Sequence, residues 1–199
     1  MESRNLAEGS PRLNMLTLQT KHREVTVCRP SLERLASKAD LDGLGVLAEI
    51  VDSLYPSGAE KLEARCLDAF DGLARGHVVR DPWGYVAAFA METPKGLNRI
   101  KLSTIWVSET HRRLGIGTAL VSRLSMDWLD RGIESVHVTA RAGLHTELLS
   151  AFKPLGFEMV GLERNRYGAG RDEAVLQWTP ERSVSETWNQ FLSARLQIL

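Results

Sequence analysis

The chain has 199 residues, 43% hydrophobic and 25% charged, the composition of an ordinary globular protein. Lysine plus arginine and aspartate plus glutamate both number 25, so the formal net charge is zero, which gives no basis for bulk attraction to a nucleic acid backbone or an anionic membrane. The two cysteines, Cys28 and Cys66, make neither a metal-like cluster nor a disulfide framework. No apolar run approaches the ~20 residues of a membrane helix. The opening M-E-S-R-N-L-A-E-G-S-P lacks the apolar core of a signal peptide, so a cytoplasmic protein is expected.

Taken in order, residues 1–22 are polar and read as a loosely ordered leader. Residues 24–29 alternate apolar and polar and predict a strand stopped by Pro30. From Leu32 to Tyr55 the pattern is mostly helical, with Leu44, Leu47, Val51 and Leu54 on one stripe and Gly43 and Gly45 weakening its middle. Residues 59–75 predict a further helix, since Leu62, Cys66, Phe70 and Leu73 fall on one face, with Gly76 as its stop. Strands at 77–80 and 85–92 flank a D-P-W-G turn and read as a hairpin. A third strand spans 99–107.

The period then changes. Ile116, Leu120, Leu124 and Trp128 recur every four residues, predicting an amphipathic helix over 116–131 that ends near Gly132. A strand follows at 134–140, and then a helix with Leu144, Leu148, Phe152 and Leu155 on one face, closed by Gly156. Residues 157–163 and 172–178 predict a last hairpin around the basic loop R-N-R-Y-G-A-G-R. Ser183 and Glu186 form a capping box, and Val184, Trp188, Leu192, Leu196 and Leu199 stripe a C-terminal helix over 180–199. That stripe packs on the sheet or on a second subunit. Antiparallel hairpins preceding a strand–loop–helix unit make a mixed α/β sheet and not uniform βαβ repeats.

The most informative stretch is Trp106–Leu120, W-V-S-E-T-H-R-R-L-G-I-G-T-A-L. An apolar strand runs into a polar loop with paired arginines, Arg112 and Arg113, and then into two glycines where a helix begins. Unpaired N–H groups at a helix N-terminus, beside the positive end of its dipole, suit an anion. Arginines add cationic donors for phosphate oxygens. The physical reading is a pyrophosphate cradle. A P-loop is absent, because no G-x-x-x-x-G-K-[ST] occurs. A dinucleotide fingerprint fits poorly, because Leu120 occupies the third glycine position and antiparallel strands precede the loop.

The hexapeptide Arg112-Arg113-Leu114-Gly115-Ile116-Gly117 reads R-x-x-G-x-G, and here the sequence resembles the GNAT superfamily of coenzyme A-dependent N-acyltransferases. The element order matches over roughly 24–178, including Gly156-Phe157 after the second helix. The resemblance implies a mostly antiparallel central sheet of about seven strands flanked by about four helices, occupying 23–179. It implies that backbone amides from Arg113 to Thr118, through Leu114, Gly115, Ile116 and Gly117, grip the pyrophosphate of acetyl-CoA. It implies that the preceding strand splays from its neighbour and pairs the pantetheine arm near Trp106 and Val107. The acceptor would be a primary amine on a small molecule or protein, and no metal is required.

Two of the family's usual groups are missing. Aligning Gly156-Phe157 puts Phe152, which has no proton to give, where a tyrosine acid often stands, and His145 where an asparagine often stands. The strand I-K-L-S-T-I-W-V carries Lys101 and Ser103 on one face and no carboxylate on either. His145 and Tyr167 are therefore the candidate proton-handling residues, with Glu92 or a water chain as a source of base. The alternatives are a noncatalytic coenzyme A-binding module and, within the enzyme class, acetylation of aminoacyl-tRNA, against which the zero net charge argues. His22, His77, His111 and His137 have no metal-ligand spacing. The five tryptophans, Trp83, Trp106, Trp128, Trp178 and Trp188, fall mostly on apolar stripes and are expected in the core or an interface.

Overall fold

The computed structural model of the chain describes residues 15–20, 23–28, 31–36 and 39–183. Strands β1 (Met15–Thr20) and β2 (Arg23–Cys28) form a separate antiparallel pair. Met15–Thr20 therefore departs from the expected loose leader: the alternation of M-L-T-L-Q-T is that of a strand, and a close partner satisfies its backbone. The main sheet begins at β3 (Ser31–Arg34), where a helix was expected. After α1 (Ala39–Asp42), α2 (Gly45–Leu54) and α3 (Gly58–Phe70), the sheet continues with β4 (Arg75–Arg80), β5 (Val86–Pro94) and β6 (Arg99–Val107). Then follow α4 (Ile116–Asp130), β7 (Ser135–Arg141), α5 (His145–Phe152), β8 (Phe157–Glu163), β9 (Glu173–Trp178) and α6 (Pro180–Ser183). The remainder of the expected C-terminal helix, 184–199, lies outside the described residues.

The seven strands lie in the order β3-β4-β5-β6-β7-β9-β8, and only the β6–β7 pair is parallel. The predicted long helix breaks at Gly43–Leu44, and α3 stops at Phe70. Gly72, at φ +76°, turns the chain, so Leu73 leaves the helix face and is 66% exposed. Trp83 also falls outside the core, at the tip of the β4–β5 hairpin, 80% exposed.

Two apolar layers sandwich the sheet. On one face α4 and α5 pack Ile116, Leu120, Leu124, Phe152 and Leu155 against Ile100, Val136, Phe157 and Leu176. Trp128 lies at the centre of this layer, edge-on to Trp178 at 5.2 Å and to Phe157 at 6.2 Å. On the other face α2 and α3 pack Leu44, Leu47, Leu62 and Cys66 against Val78, Phe89 and Met91.

One charge is held inside this core. Glu92 is 1% exposed; its Oε1 accepts the Trp128 indole N–H at 2.8 Å and its Oε2 accepts Arg131 Nη2 at 2.8 Å. His77 Nε2 is 3.3 Å from Oε1. Burial pushes the Glu92 pKa up, but His77, Arg131 and the indole together outweigh it and hold the carboxyl below its ordinary value. These contacts ionise Glu92 in the fold, so their stabilisation is present above the unfolded pKa and is lost as pH falls through the folded one. Removing the carboxylate in Glu92→Ala leaves the Trp128 indole N–H without its acceptor and leaves Arg131 paired with Asp127 alone, and urea denaturation is expected to show a loss of about 1–3 kcal/mol. A loss under about 1 kcal/mol would show that the network is not a structural anchor.

Candidate functional site

The sheet is built to open. β6 and β7 pair through only three registered positions, Arg99↔Ser135, Ile100↔Val136 and Lys101↔His137. Immediately beyond, the β5–β6 ladder slips, with Met91 opposite Thr104 but Glu92 opposite Leu102, so Ser103 is an extra residue in β6. Its hydroxyl donates to Met91 O at 3.2 Å and accepts from Thr93 Oγ1 at 3.1 Å. A bulge adds local twist and redirects the strand. β6 then leaves β7, which stays paired with β9 up to Arg141↔Glu173, and a wedge opens between the two.

Strand alternation decides which backbone groups face that wedge. Ser108 N–H donates to Ala87 O at 2.9 Å, so the Trp106 backbone, two residues earlier, also turns toward β5, where it stands opposite Phe89. Ile105 and Val107 turn their N–H and C=O groups the other way. Val107, one of the two expected edge residues, thus faces the wedge through its main chain. Trp106, the other, does not, and its side chain packs against the α2–α3 core.

The loop after β6 is held at both ends. Residues Glu109–His111 make one tight turn, and Arg112 Nε donates back to Val107 O at 3.3 Å. Arg113 (φ +62°) and Gly115 (φ +81°) both take the left-handed conformation, which a non-glycine residue adopts only at a cost and mostly where function demands it. This reversal aims the start of α4 back at the wedge. Ala119 N–H makes the bond to Gly115 O at 2.9 Å, so the amides of Ile116, Gly117 and Thr118 precede the first intrahelical donor. A Cβ on Gly117 would stand 3.1 Å from Val107 Cγ2, so a larger side chain there would crowd the strand that carries the wedge.

A cavity of about 310 Å³ lies at this junction. Eight of the nine expected loop and edge residues line it together with Ile105 and His111: Trp106, Val107, Arg112, Arg113, Gly115, Ile116, Gly117 and Thr118. Leu148, Ala151, Phe152 and Leu155 close the far side. Leu114 points away and is 60% exposed. A larger cavity, about 430 Å³, lies at the other end of β6 and includes Glu92, Arg99 and Arg131. Glu92 is thus engaged by Trp128, Arg131 and His77 beside this second cavity.

His145 is the first residue of α5, and its side chain lies outside the described residues. Tyr167 lies in the β8–β9 loop, its ring edge-on to Tyr55 with centroids 5.0 Å apart. Lys101, at the vertex of the wedge, is half-buried, and burial with Arg166, Arg65 and Lys95 nearby lowers its amine pKa to about 8. Burial and the neighbouring Lys101 and Lys95 also lower the His137 pKa.

His111 has a role that spacing alone did not reveal. Its Nδ1 is 2.6 Å from Ser108 Oγ, and its Nε2 is 3.5 Å from Asp81 Oδ2. Asp81 Oδ1 accepts the Trp83 and Tyr85 amides, both at 2.9 Å. The imidazole ties the glycine loop to the β4–β5 turn. The only sequence signal was a histidine beside the motif and an aspartate opening a D-P-W-G turn. His111→Ala is expected to speed hydrogen exchange of the amides of 108–113 about tenfold, as loss of ~1.5 kcal/mol of hydrogen bonding implies; unchanged exchange would refute the tie.

Comparison with known proteins places these features in a family. Residues 47–157 match the model of the acetyltransferase (GNAT) family. No curated protein matches the chain by sequence. Among solved structures, spermidine N-acetyltransferase from Vibrio cholerae, in complex with CoA and spermine, superposes with TM-score 0.65 at 14% identity, over 79% of this chain and 99% of that one. The ribosomal-protein-S18-alanine N-acetyltransferase from Escherichia coli superposes with TM-score 0.62 at 20% identity, over 75% and 93%. An IAA acetyltransferase from Bacillus cereus gives 0.60 at 15% identity, over 75% and 99%. At these identities the likeness is one of fold.

Proposed function

Because this chain belongs to the GNAT acetyltransferase family, we propose that it transfers an acetyl group from acetyl-CoA to a primary amine that attacks the thioester directly. The observation that carries this reading is one junction. A parted strand pair, a left-handed turn bearing two arginines and the free amides of a helix N-terminus all surround the same cavity of about 310 Å³. Those donors fit a diphosphate, and a side chain at Gly117 would press on Val107, since a Cβ there would stand 3.1 Å from its Cγ2.

Bound acetyl-CoA supplies an acetyl group already activated as a thioester. The amides from Arg113 through Leu114, Gly115, Ile116 and Gly117 to Thr118 hold the diphosphate, and the Arg112 and Arg113 guanidinium groups add charge-assisted bonds. Arg112 also shapes the loop through its bond to Val107 O. The free edge at Ile105 and Val107 accepts the extended amide-bearing arm as an added strand, and the Val107 N–H steadies the carbonyl oxygen as negative charge grows on it. Trp106, Leu148 and Phe152 wall the arm off from water. Binding remote from the reacting carbon fixes its geometry, which is how a site with few ionisable groups accelerates the reaction.

Phe152 leaves proton return to the departing thiolate to another group, and His145, at the start of α5, is our candidate, with Tyr167 as the residue on the acceptor side. The acceptor is an amine on a small molecule or a protein. The neighbouring structures named for spermidine and for a ribosomal protein span both kinds. We place the reaction in the cytoplasm, and pairing of two chains through 184–199 is testable by mass measurement on a chain ended at Pro180. No described helix is long and apolar enough to cross a membrane.

Calorimetry is expected to show one coenzyme A bound per chain. Gly117→Val should weaken it about 100-fold by crowding Val107 and displacing the diphosphate donors. Turnover of acetyl-CoA with a panel of primary amines, followed by free thiol, should accompany binding. An absence of coenzyme A binding to the folded wild-type chain would overturn the reading.

A further inference from the structure

On the sheet face opposite α4 and α5, the fold buries a carboxylate with one oxygen left without a donor. Glu173 is 2% exposed, and its Oε2 has no hydrogen-bond partner among the described residues. Ala174, Leu176 and Trp178 point into the α4 layer, so alternation aims Glu173, Val175 and Gln177 at the opposite face. In the ladder Glu173 stands between Arg141 at the end of β7 and Glu163 at the end of β8. Glu163 is ion-paired with Arg166, whose guanidinium lies 5.8 Å from the centre of the Tyr167 ring.

A roof covers this end. Arg171 Nη1 donates to Leu54 O at 3.3 Å, tying the β8–β9 loop to the corner after α2, where Tyr55 meets Tyr167. Tyr55 lies near enough to Glu173 that, after burial, the carboxylate is the next cause raising its hydroxyl pKa. Around Glu173 the charge is mostly positive. Arg166, Lys101 and Arg141 all act on it, and burial still leaves its pKa above the ordinary value. Arg65 and Lys95 add to the same field at Lys101. A buried acceptor atom left without a donor is rare in native proteins, and a ligand N–H is one way to satisfy it.

We propose that Glu173 receives the acceptor's amine, one N–H donating to Oε2 beneath Tyr55 and Tyr167, and that Lys101 and Arg141 receive a carboxylate carried by the same molecule. This rests on the acyl-transfer reading and names its substrate class: a small amine that is also an anion. The position suits the chemistry. Glu173 and Lys101 lie on the sheet face opposite the cavity at the glycine loop, so the acceptor and the thioester carrier would approach from opposite sides of the sheet.

An incoming ammonium gives one proton to the Glu173 carboxylate, and burial of the carboxyl favours that transfer. The freed nitrogen lone pair forms the C–N bond as the thioester C–S bond breaks. The second amine proton passes to the departing thiolate, giving amide and thiol. A second cation on the acceptor would meet Lys101, Arg141 and Arg166 and be repelled.

The test compares 4-aminobutanoate, butylamine and butane-1,4-diamine, together with glycine, as acceptors for the full chain with acetyl-CoA. The amino acids are expected to exceed butylamine in kcat/KM by about tenfold and the diamine by more. Glu173→Gln, whose amide accepts no proton, should lower kcat/KM for every amine at least about tenfold, while calorimetry gives the same coenzyme A affinity as wild type. Lys101→Ala should abolish the preference for amino acids over butylamine. Equal or reversed preference in the wild type, or an unchanged kcat/KM in Glu173→Gln, would overturn the assignment. Coenzyme A binding without turnover of any of these amines would do so too, while leaving the diphosphate site standing.

Discussion

The structure depends on the parting of two parallel strands. A sheet holds together because each backbone N–H and C=O finds a partner, and β6 and β7 abandon that pairing after three residues. The cost of an unpaired edge inside a domain is tolerable only where something else will occupy it. The Ser103 bulge turns β6 away, the left-handed turn at Arg113 and Gly115 brings α4 to the mouth of the gap, and Leu148 and Phe152 line its apolar side. Each of these features converges on the same gap.

Two buried glutamates show how the same residue type serves opposite ends. Glu92 is saturated by an indole, a guanidinium and an imidazole, and it locks β5 to α4 at the end of the sheet that never opens. Glu173, equally hidden, has one carboxylate oxygen without a hydrogen-bond partner among the described residues and lies near Tyr55, whose ring meets Tyr167, at the end that does open. A filled set of hydrogen bonds rigidifies, whereas an unfilled acceptor in a protected place is available for chemistry. The family's usual carboxylate is missing from β6, and the carboxylate at the open end comes from β9.

Much of the architecture was legible because it rests on period and punctuation. The four-residue repeat from Ile116 to Trp128 gave α4 its buried face, and Leu62 and Cys66 marked the buried side of α3. The glycine–arginine loop announced itself because few residue types tolerate the backbone it needs. The misreadings have equally physical causes. Ser31–Arg34 is a short edge strand with alternation too brief to recognise, and only pairing with β4 defines it. Leu73 and Trp83 looked like core by hydrophobicity, yet a left-handed glycine and a hairpin tip put them in water.

Local chemistry alone determined where α4 runs, where the glycine–arginine turn lies and that Phe152 has no proton to give, since these follow from side-chain type and backbone freedom within a few residues. Only the tertiary structure decided that Val107 and not Trp106 presents its main chain to the wedge, because that depends on the partner across the ladder. It also decided which acidic residue is spent on the core and which is left open. Glu92 and Glu173 are indistinguishable as letters, and their difference arises from neighbours far away in the chain: Trp128 and Arg131 for one, Tyr55 and Arg141 for the other.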